Sequence, residues 1–116
     1  MIFDSDVLIW FFRGNESAKK IVRGNIPFSI SAVSYMELIQ GVLNKQELLG
    51  IKKFLEKSET TIIPMNEEIT HRAMEYVESY ALSDSMELAD ALIAATAIEN
   101  DETLCTANGK HLFKVE

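Results

Sequence analysis

Four short apolar stretches alternate along the chain with segments of helical pattern, and this alternation limits the possible folds more than any other feature. Each stretch is apolar nearly throughout instead of alternating apolar and polar residues, which is typical of buried parallel strands. Pro27 opens the second stretch and Pro64 lies near the end of the third, where strands commonly begin or stop. The four predicted strands are MIFD (1–4), PFSIS (27–31), TTIIPM (60–65) and TLCT (103–106).

The segments between these strands carry apolar residues at helical spacing. Strands that alternate with helices predict βαβ crossovers, and so an α/β fold with a central, mostly parallel sheet of at least four short strands covered on both faces. A chain of 116 residues is long enough for one domain, 1–116, and too short for two. The predicted helices cover residues 7–13, 16–23, 34–44, 46–57, 67–81 and 87–100.

The composition excludes several classes of protein. No apolar run approaches the roughly 20 residues that a membrane helix requires, and the single cysteine rules out an internal disulfide. Acids stand near the N-terminus where a secretion signal would carry positive charge. We therefore expect a cytoplasmic protein without membrane association. The net charge of -7 argues against a simple electrostatic nucleic-acid binder, but not against a nuclease whose clustered carboxylates hold cations.

Polar side chains stand at the ends of two predicted strands. Asp4 ends the first strand and Asp6 follows it, with no lysine or arginine before Arg13. Thr106 ends the fourth strand and Asn108 follows it. Open α/β sheets bind their ligands beyond the carboxyl ends of the strands. We expect these side chains to lie together at one edge of the sheet.

Asp90 is the most informative acid, because the stretch LADALIAATAI (88–98) is otherwise apolar except for Thr96. No lysine or arginine occurs from Ala73 to Gly109. We expect Asp90 to be buried, where an unpaired charge costs on the order of several kcal/mol. Its partner is then a bound cation, another protein or a distant part of the fold; a protonated or hydrogen-bonded carboxyl is the alternative.

Glu37, in SAVSYMELIQG (31–41), allows two interpretations. Ser34 and Glu37 fit a capping box at the start of a helix. The absence of basic residues between Arg23 and Lys45 favours a cation site instead. A similar pattern precedes the Asp90 helix, where we expect Asp84 to be the N-cap residue.

Three acids from separate parts of the chain, Asp4, Glu37 and Asp90, are thus expected to converge, with Asp6 joining them. Carboxylates gathered without basic partners repel one another and are tolerated only if cations neutralise them. Oxygen ligands select hard ions such as Mg²⁺ or Mn²⁺. Such a site supports phosphodiester hydrolysis best.

Four stretches that span nearly the whole chain occur in the order of one known family: FDSDVLIW, SISAVSYMELIQG, LADALIAATAIEN and TLCTANGKHLF. In these stretches the chain resembles the PIN domain family, and within it the VapC-type toxins of type II toxin–antitoxin modules. The resemblance implies a three-layer α/β/α domain and a Mg²⁺- or Mn²⁺-dependent endoribonuclease acting on RNA, often tRNA. It also implies that Asp4, Glu37 and Asp90 are the catalytic metal ligands.

The sequence departs from the family at the loop after the fourth strand, where relatives often carry a further acid. This loop offers Asn108 and His111 instead, so the number of metal ions stays open and Asp6 is the candidate substitute ligand. Ser5, Thr106 and Asn108 are expected to contact the substrate or to support the ligands. Relatives commonly continue into another strand after HLFKVE, so a C-terminal strand is expected to be missing.

The resemblance also implies two protein partners. One is a second copy of the chain in a homodimer. The other is an antitoxin that covers the groove and presents a basic side chain to the acids. For RNA, Arg13 and Lys110 lie nearer the expected site than the lysines of the 46–57 helix. Trp10, Phe11 and Phe12 are interpreted as core or dimer surface rather than as groups that stack on bases.

Three alternative functions remain open at this point. The first is a haloacid-dehalogenase-type phosphatase, which also begins with a D-x-D strand but needs a later lysine. The second is a catalytically weak PIN-like module that binds RNA or protein, favoured by the missing loop acid. The third is a cysteine hydrolase built on Cys105 with His71 or His111, which the apolar surroundings of Cys105 disfavour.

Overall fold

The computed structural model describes residues 1–82, 86–108 and 111–115, which form a five-stranded sheet flanked by helices. The strand order is β3-β2-β1-β4-β5, in which β1 to β4 are parallel and β5 is antiparallel to β4. This arrangement confirms the predicted three-layer α/β/α fold. The strands are β1 (Ile2–Phe3), β2 (Ser29–Ser31), β3 (Thr61–Ile63), β4 (Leu104–Asn108) and β5 (His111–Val115). The helices are α1 (Ser5–Phe12), α2 (Glu16–Arg23), α3 (Ala32–Gln40), α4 (Lys45–Lys57), α5 (Glu67–Tyr80) and α6 (Leu88–Glu99).

The central strand β1 divides the core into two halves because successive strand side chains point to opposite faces. Phe3 packs with residues of α1, α2 and α4, and its ring meets Phe28 edge-on at 5.0 Å. Ile2 packs on the other face against Ile93 of α6 and its neighbours. Both β1 side chains are completely buried, so β1 is fixed in the middle of the fold.

Four of the described helices begin one or two residues away from their predicted starts, namely α1, α3, α4 and α6, and two of these starts bear on predicted caps. α3 begins at Ala32, with Ser31 as N-cap residue and its hydroxyl 3.1 Å from the Val33 nitrogen. The capping-box interpretation of Ser34 and Glu37, one of the two left open by the sequence, is therefore wrong, because the serine that ends β2 caps the helix. α6 begins at Leu88 with Glu87 at the N-cap position and no side-chain capping bond; Asp84 lies outside the described residues.

The described sheet contains one strand that the sequence analysis did not predict. The segment HLFKV, which was not predicted as a strand, forms β5 and pairs with β4 from Asn108↔His111 to Leu104↔Val115. At the amino ends of β1 and β4, the terminal amino group of Met1 forms an ion pair of 2.6 Å with Glu102.

Within the described ranges, no helix has the length and apolar character that crossing a membrane requires.

Candidate active site

The candidate site lies where the strand order reverses on either side of β1. β2 lies on one side of β1 and β4 on the other, and open α/β sheets bind ligands beyond the carboxyl ends of strands at such a switch point. A cleft of about 420 Å³ occupies this position. Acids and one hydroxyl line one part of the cleft, and apolar side chains line the rest. The polar group is Asp4, Asp6, Asp90 and Thr106, and the apolar group includes Ile93 and Leu104.

Asp4 is fixed by both its backbone and its carboxylate. Its N–H donates to the Cys105 carbonyl oxygen over 2.9 Å, which holds it against β4 at the start of α1. Although Asp4 is the N-cap residue of α1, its side chain makes no capping bond. Instead, Oδ1 accepts from the Ser5 hydroxyl at 3.2 Å and Oδ2 from the Thr106 hydroxyl at 3.0 Å. The carboxylate is therefore oriented by hydroxyls from α1 and β4.

Ser5 connects two of the predicted acids. Its hydroxyl oxygen lies 3.0 Å from Oε1 of Glu37 as well as 3.2 Å from Asp4, and the residue is only 4% exposed. A serine hydroxyl carries a single proton, so at any moment it donates fully to one carboxylate. Of the two interpretations left open for Glu37, the structure supports the one in which this side chain joins the acidic cluster.

Asp6 and Asp90 both lie in the first turn of a helix, in α1 and α6 respectively. The predicted burial of Asp90 is wrong, because the residue is exposed. The apolar pattern of α6 correctly indicates a buried helix body, with Ala91, Ile93 and Ala95 enclosed. Its first turn, however, lies at the rim of the sheet, where a carboxylate also interacts favourably with the positive end of the helix dipole.

The four carboxylates lie close enough to influence one another electrostatically. Partial loss of water around Asp6, Glu37 and Asp90 raises their pKa above ordinary values, and repulsion from neighbouring acids raises each pKa further. Glu37 feels all three of the others, while its hydrogen bond from Ser5 lowers the pKa. Among the described residues, the ion pairs of the chain are made elsewhere. The cluster therefore has excess negative charge, which a cation would relieve.

The donor set fits Mg²⁺ or Mn²⁺ in chemistry, since all its members are oxygen ligands. In the described part of the chain, no three acidic, histidine or cysteine side chains come close enough together to hold one ion. Mg²⁺ is commonly bound through one or two carboxylates, with water and substrate phosphate completing its coordination. The arrangement thus fits a water-rich ion site better than a closed cage of protein ligands.

The remaining predicted site residues fall into two groups. Thr106 lies at the site, where its hydroxyl supports Asp4. Asn108 ends β4 and His111 begins β5, but their side chains and the whole of Lys110 lie outside the described residues.

The cysteine hydrolase alternative is wrong, because Cys105 is completely buried and no substrate can reach its sulfur.

Sequence reasoning did not assign a role to the apolar wall of the cleft. Ile93 and Ala94 line it beside Asp90, and their spacing of three and four residues from Asp90 puts them on the same helix face. That spacing was a usable signal. Leu104, from β4, completes the wall and could be assigned only once the order of the strands was known.

Comparisons with known proteins agree with this architecture. The family description "PIN domain" matches residues 1–116. A toxin–antitoxin complex from Klebsiella pneumoniae contains a chain 28% identical, with a TM-score of 0.79, covering 94% of this chain and 87% of that one. VapBC2 from Rickettsia felis, bound to a DNA fragment from its promoter, gives 25% identity, a TM-score of 0.70 and coverages of 90% and 85%.

A third structure, VapBC-1 from nontypeable Haemophilus influenzae, supports the fold alone, at 22% identity. Its TM-score is 0.73, and the match covers 95% of this chain and 89% of that one. Comparison with curated proteins gives no match. Because the family match extends over residues 1–116, the chain belongs to the PIN domain family.

Proposed function

We propose that the protein is a metal-dependent endoribonuclease toxin of a toxin–antitoxin module, which hydrolyses phosphodiester bonds of tRNA or another structured RNA. The observation that carries the proposal is the group of repelling carboxylates at the switch-point cleft. Asp4, Asp6 and Asp90 line the cleft, and Glu37 lies beside them, linked to Asp4 through Ser5. Membership of the PIN domain family and the likeness to chains from toxin–antitoxin complexes support the nuclease and toxin roles.

In this proposal, Asp4, Glu37 and Asp90 are the catalytic ligands, and Asp6 is a fourth ligand or an outer acid. A bound Mg²⁺ or Mn²⁺ ion supplies Lewis-acid stabilisation of phosphoryl charge and activation of water. The protein's own contribution is to orient the carboxylates. Hydroxyls from α1 and β4 fix Asp4, and the Ser5 hydroxyl also positions Glu37.

The same charge excess supports the proposed partners. A basic side chain from an antitoxin would neutralise the carboxylates as an ion does, and so would block the site. Two of the similar structures are described as VapBC assemblies and one as a toxin–antitoxin complex. We also propose a homodimer and a cytoplasmic location.

One observation favours a second candidate, a catalytically weak PIN-like module that binds RNA or protein. Among the residues that the structure describes, no three carboxylates converge closely enough to hold an ion together, and a site of this kind could bind without efficient cleavage. The phosphatase alternative has no comparable support, since the whole-chain match is to the PIN domain family.

Cleavage of an RNA panel that includes tRNA tests the proposal. The wild type, Asp90→Asn and Glu75→Gln are each incubated with Mg²⁺, Mn²⁺ or EDTA. Glu75 is exposed on α5, so its variant removes an equal charge away from the cleft. We expect cleavage by the wild type and Glu75→Gln only with an added ion, and a loss of at least ~100-fold in Asp90→Asn if its carboxylate supports the ion chemistry.

Other results lead to different conclusions. RNA binding without ion-dependent cleavage on any substrate would favour the binding module. Cleavage that persists in EDTA, or at full rate in Asp90→Asn, would contradict the proposed mechanism.

A further inference from the structure

The outward face of α1 runs from the acidic cleft to an exposed cation. Asp6, Trp10 and Arg13 follow one another at spacings of four and three residues, which puts their side chains on one helix face. Arg13 continues the helical path, since its N–H donates to the Ile9 carbonyl oxygen over 3.0 Å. The opposite face is buried in the core through Val7, Leu8 and Phe11.

The two ends of this face differ in charge. Asp6 lines the cleft, and a rise of 1.5 Å per residue places Arg13 about 10 Å farther along the helix axis. The face is therefore a track that begins at the proposed catalytic acids and ends at a guanidinium group.

Arg13 and Trp10 form a pair at the far end of the track. The guanidinium carbon lies 5.8 Å from the centre of the Trp10 ring. The indole is half-buried: part of it packs against the core, as the sequence interpretation expects, and the rest is accessible beside Arg13. Within the described residues, Arg13 has no carboxylate partner, whereas Lys19 pairs with Glu16 and Arg72 with Glu99. The Arg13 charge is thus available to an anion from outside the chain.

The distribution of charge along the chain favours the same side of the cleft. Residues 1–58 contain eight basic and six acidic residues, and three of those acids belong to the cluster. Residues 59–116 contain three basic and twelve acidic residues. A polyanion therefore meets less repulsion over the helices of the first half, α1 to α4, than over α5 and α6.

We propose that Trp10 and Arg13 form an RNA subsite, in which the indole ring stacks on a base and the guanidinium group contacts a backbone phosphate beside the cleavage site. Aromatic rings combined with cations are the groups that hold single-stranded nucleic acid without sequence preference. The subsite rests on the proposed function, because it positions the strand whose phosphodiester enters the cleft. An exposed cation suits a phosphate, whereas it would repel a partner that brings basic side chains to the nearby acids.

The protein carries its own reporter for this subsite, because Trp10 is the only tryptophan in the chain. The protein is titrated into a short fluorescein-labelled single-stranded oligoribonucleotide in a buffer that contains Ca²⁺. Gels check that the oligoribonucleotide stays uncleaved. Binding is followed by fluorescein anisotropy and stacking by tryptophan emission. We expect tryptophan quenching that follows the same binding curve as the anisotropy.

Charge-removal variants separate a local contact from a general effect of net charge. Arg13→Gln should weaken binding roughly tenfold, as expected for one charged hydrogen-bonded contact, and should lower the salt dependence by about one phosphate contact. Lys53→Gln, which removes an equal charge from an exposed position on α4, should change little. Arg13→Lys should recover part of the affinity, since it keeps the charge but loses the planar fork.

The outcomes also distinguish this inference from the proposed function. The subsite would be overturned, and the nuclease proposal left intact, by one combination of results. In it, RNA is bound or cleaved, tryptophan emission stays constant, and Arg13→Gln behaves like Lys53→Gln. If Arg13→Gln binds RNA as tightly as the wild type but no longer holds the cognate antitoxin, this surface binds protein instead. An RNA that is neither bound nor cleaved under any ion condition would overturn both.

Discussion

The Ser5 hydroxyl lies 3.0 Å from Oε1 of Glu37, a residue 32 positions away, and so links the start of α1 to α3. The same oxygen lies 3.2 Å from Asp4. Because Ser5 is buried, water does not readily replace its hydroxyl group. The spacing of the two carboxylates is therefore set by the protein before any ligand binds.

Ser5→Ala should destabilise the metal-free protein by about 1 kcal/mol, because it removes a hydrogen-bond donor from two partly buried acceptors. It should also weaken Mn²⁺ binding, since Glu37 loses its tether. Denaturant unfolding measures the first effect, and electron paramagnetic resonance of free Mn²⁺ measures the second. Ser17→Ala, at an exposed position near the start of α2, is the matched control. Equal Mn²⁺ affinity in Ser5→Ala and the wild type would show that the link has no part in ion binding.

Mn²⁺ or Mg²⁺ should raise the melting temperature of the wild type, because a ligand that binds only the folded state stabilises it. At 100 times the dissociation constant the gain is about 2.7 kcal/mol. The shift should disappear in Asp90→Asn, whose carboxamide no longer offers a charged ligand, and should persist in Glu75→Gln. A wild-type melting curve that millimolar Mn²⁺ leaves unchanged would count against the ion site.

Much of the fold could be predicted from the sequence because its signals are local. The apolar runs around Phe3, Ile30 and Cys105 identified strands that are indeed central and buried. The proximity of Asp4 and Thr106 also follows from the sequence, since adjacent parallel strands end at the same edge. Their hydrogen bond of 3.0 Å joins residues 102 positions apart.

The errors concern properties that depend on how the elements meet. Asp90 was expected to be buried because its helix is apolar, but exposure depends on which turn of α6 reaches the rim of the sheet. The sequence left a capping role for Ser34 open because Ser31 and Ser34 are both serines, and only the end of β2 decides that Ser31 is the cap. The HLFKV strand was missed because it is stabilised by antiparallel pairing with β4, a contact that no local sequence pattern shows.

The pH dependence of stability should reveal the raised pKa of Glu37 when no metal is present. Burial and the neighbouring acids raise the pKa of Glu37 in the folded protein, so the folded state binds its proton more tightly than the unfolded state does. The stability that this group contributes is fully present below its unfolded pKa of about 4.3. It is lost as the pH rises through the higher folded pKa.

Glu37→Gln has no carboxyl group to ionise and keeps an amide oxygen that can accept from Ser5. Its stability relative to the wild type should therefore increase as the pH rises from about 4 through the folded pKa of Glu37. Paired denaturant titrations in EDTA across this range measure the difference, with Glu75→Gln as the control for charge removal at an exposed site. Saturating Mn²⁺ should reverse the order at neutral pH, because the ion stabilises the ionised wild-type cluster. A stability difference that stays constant with pH would mean that neither burial nor the neighbouring acids raise the pKa of Glu37 in the folded protein.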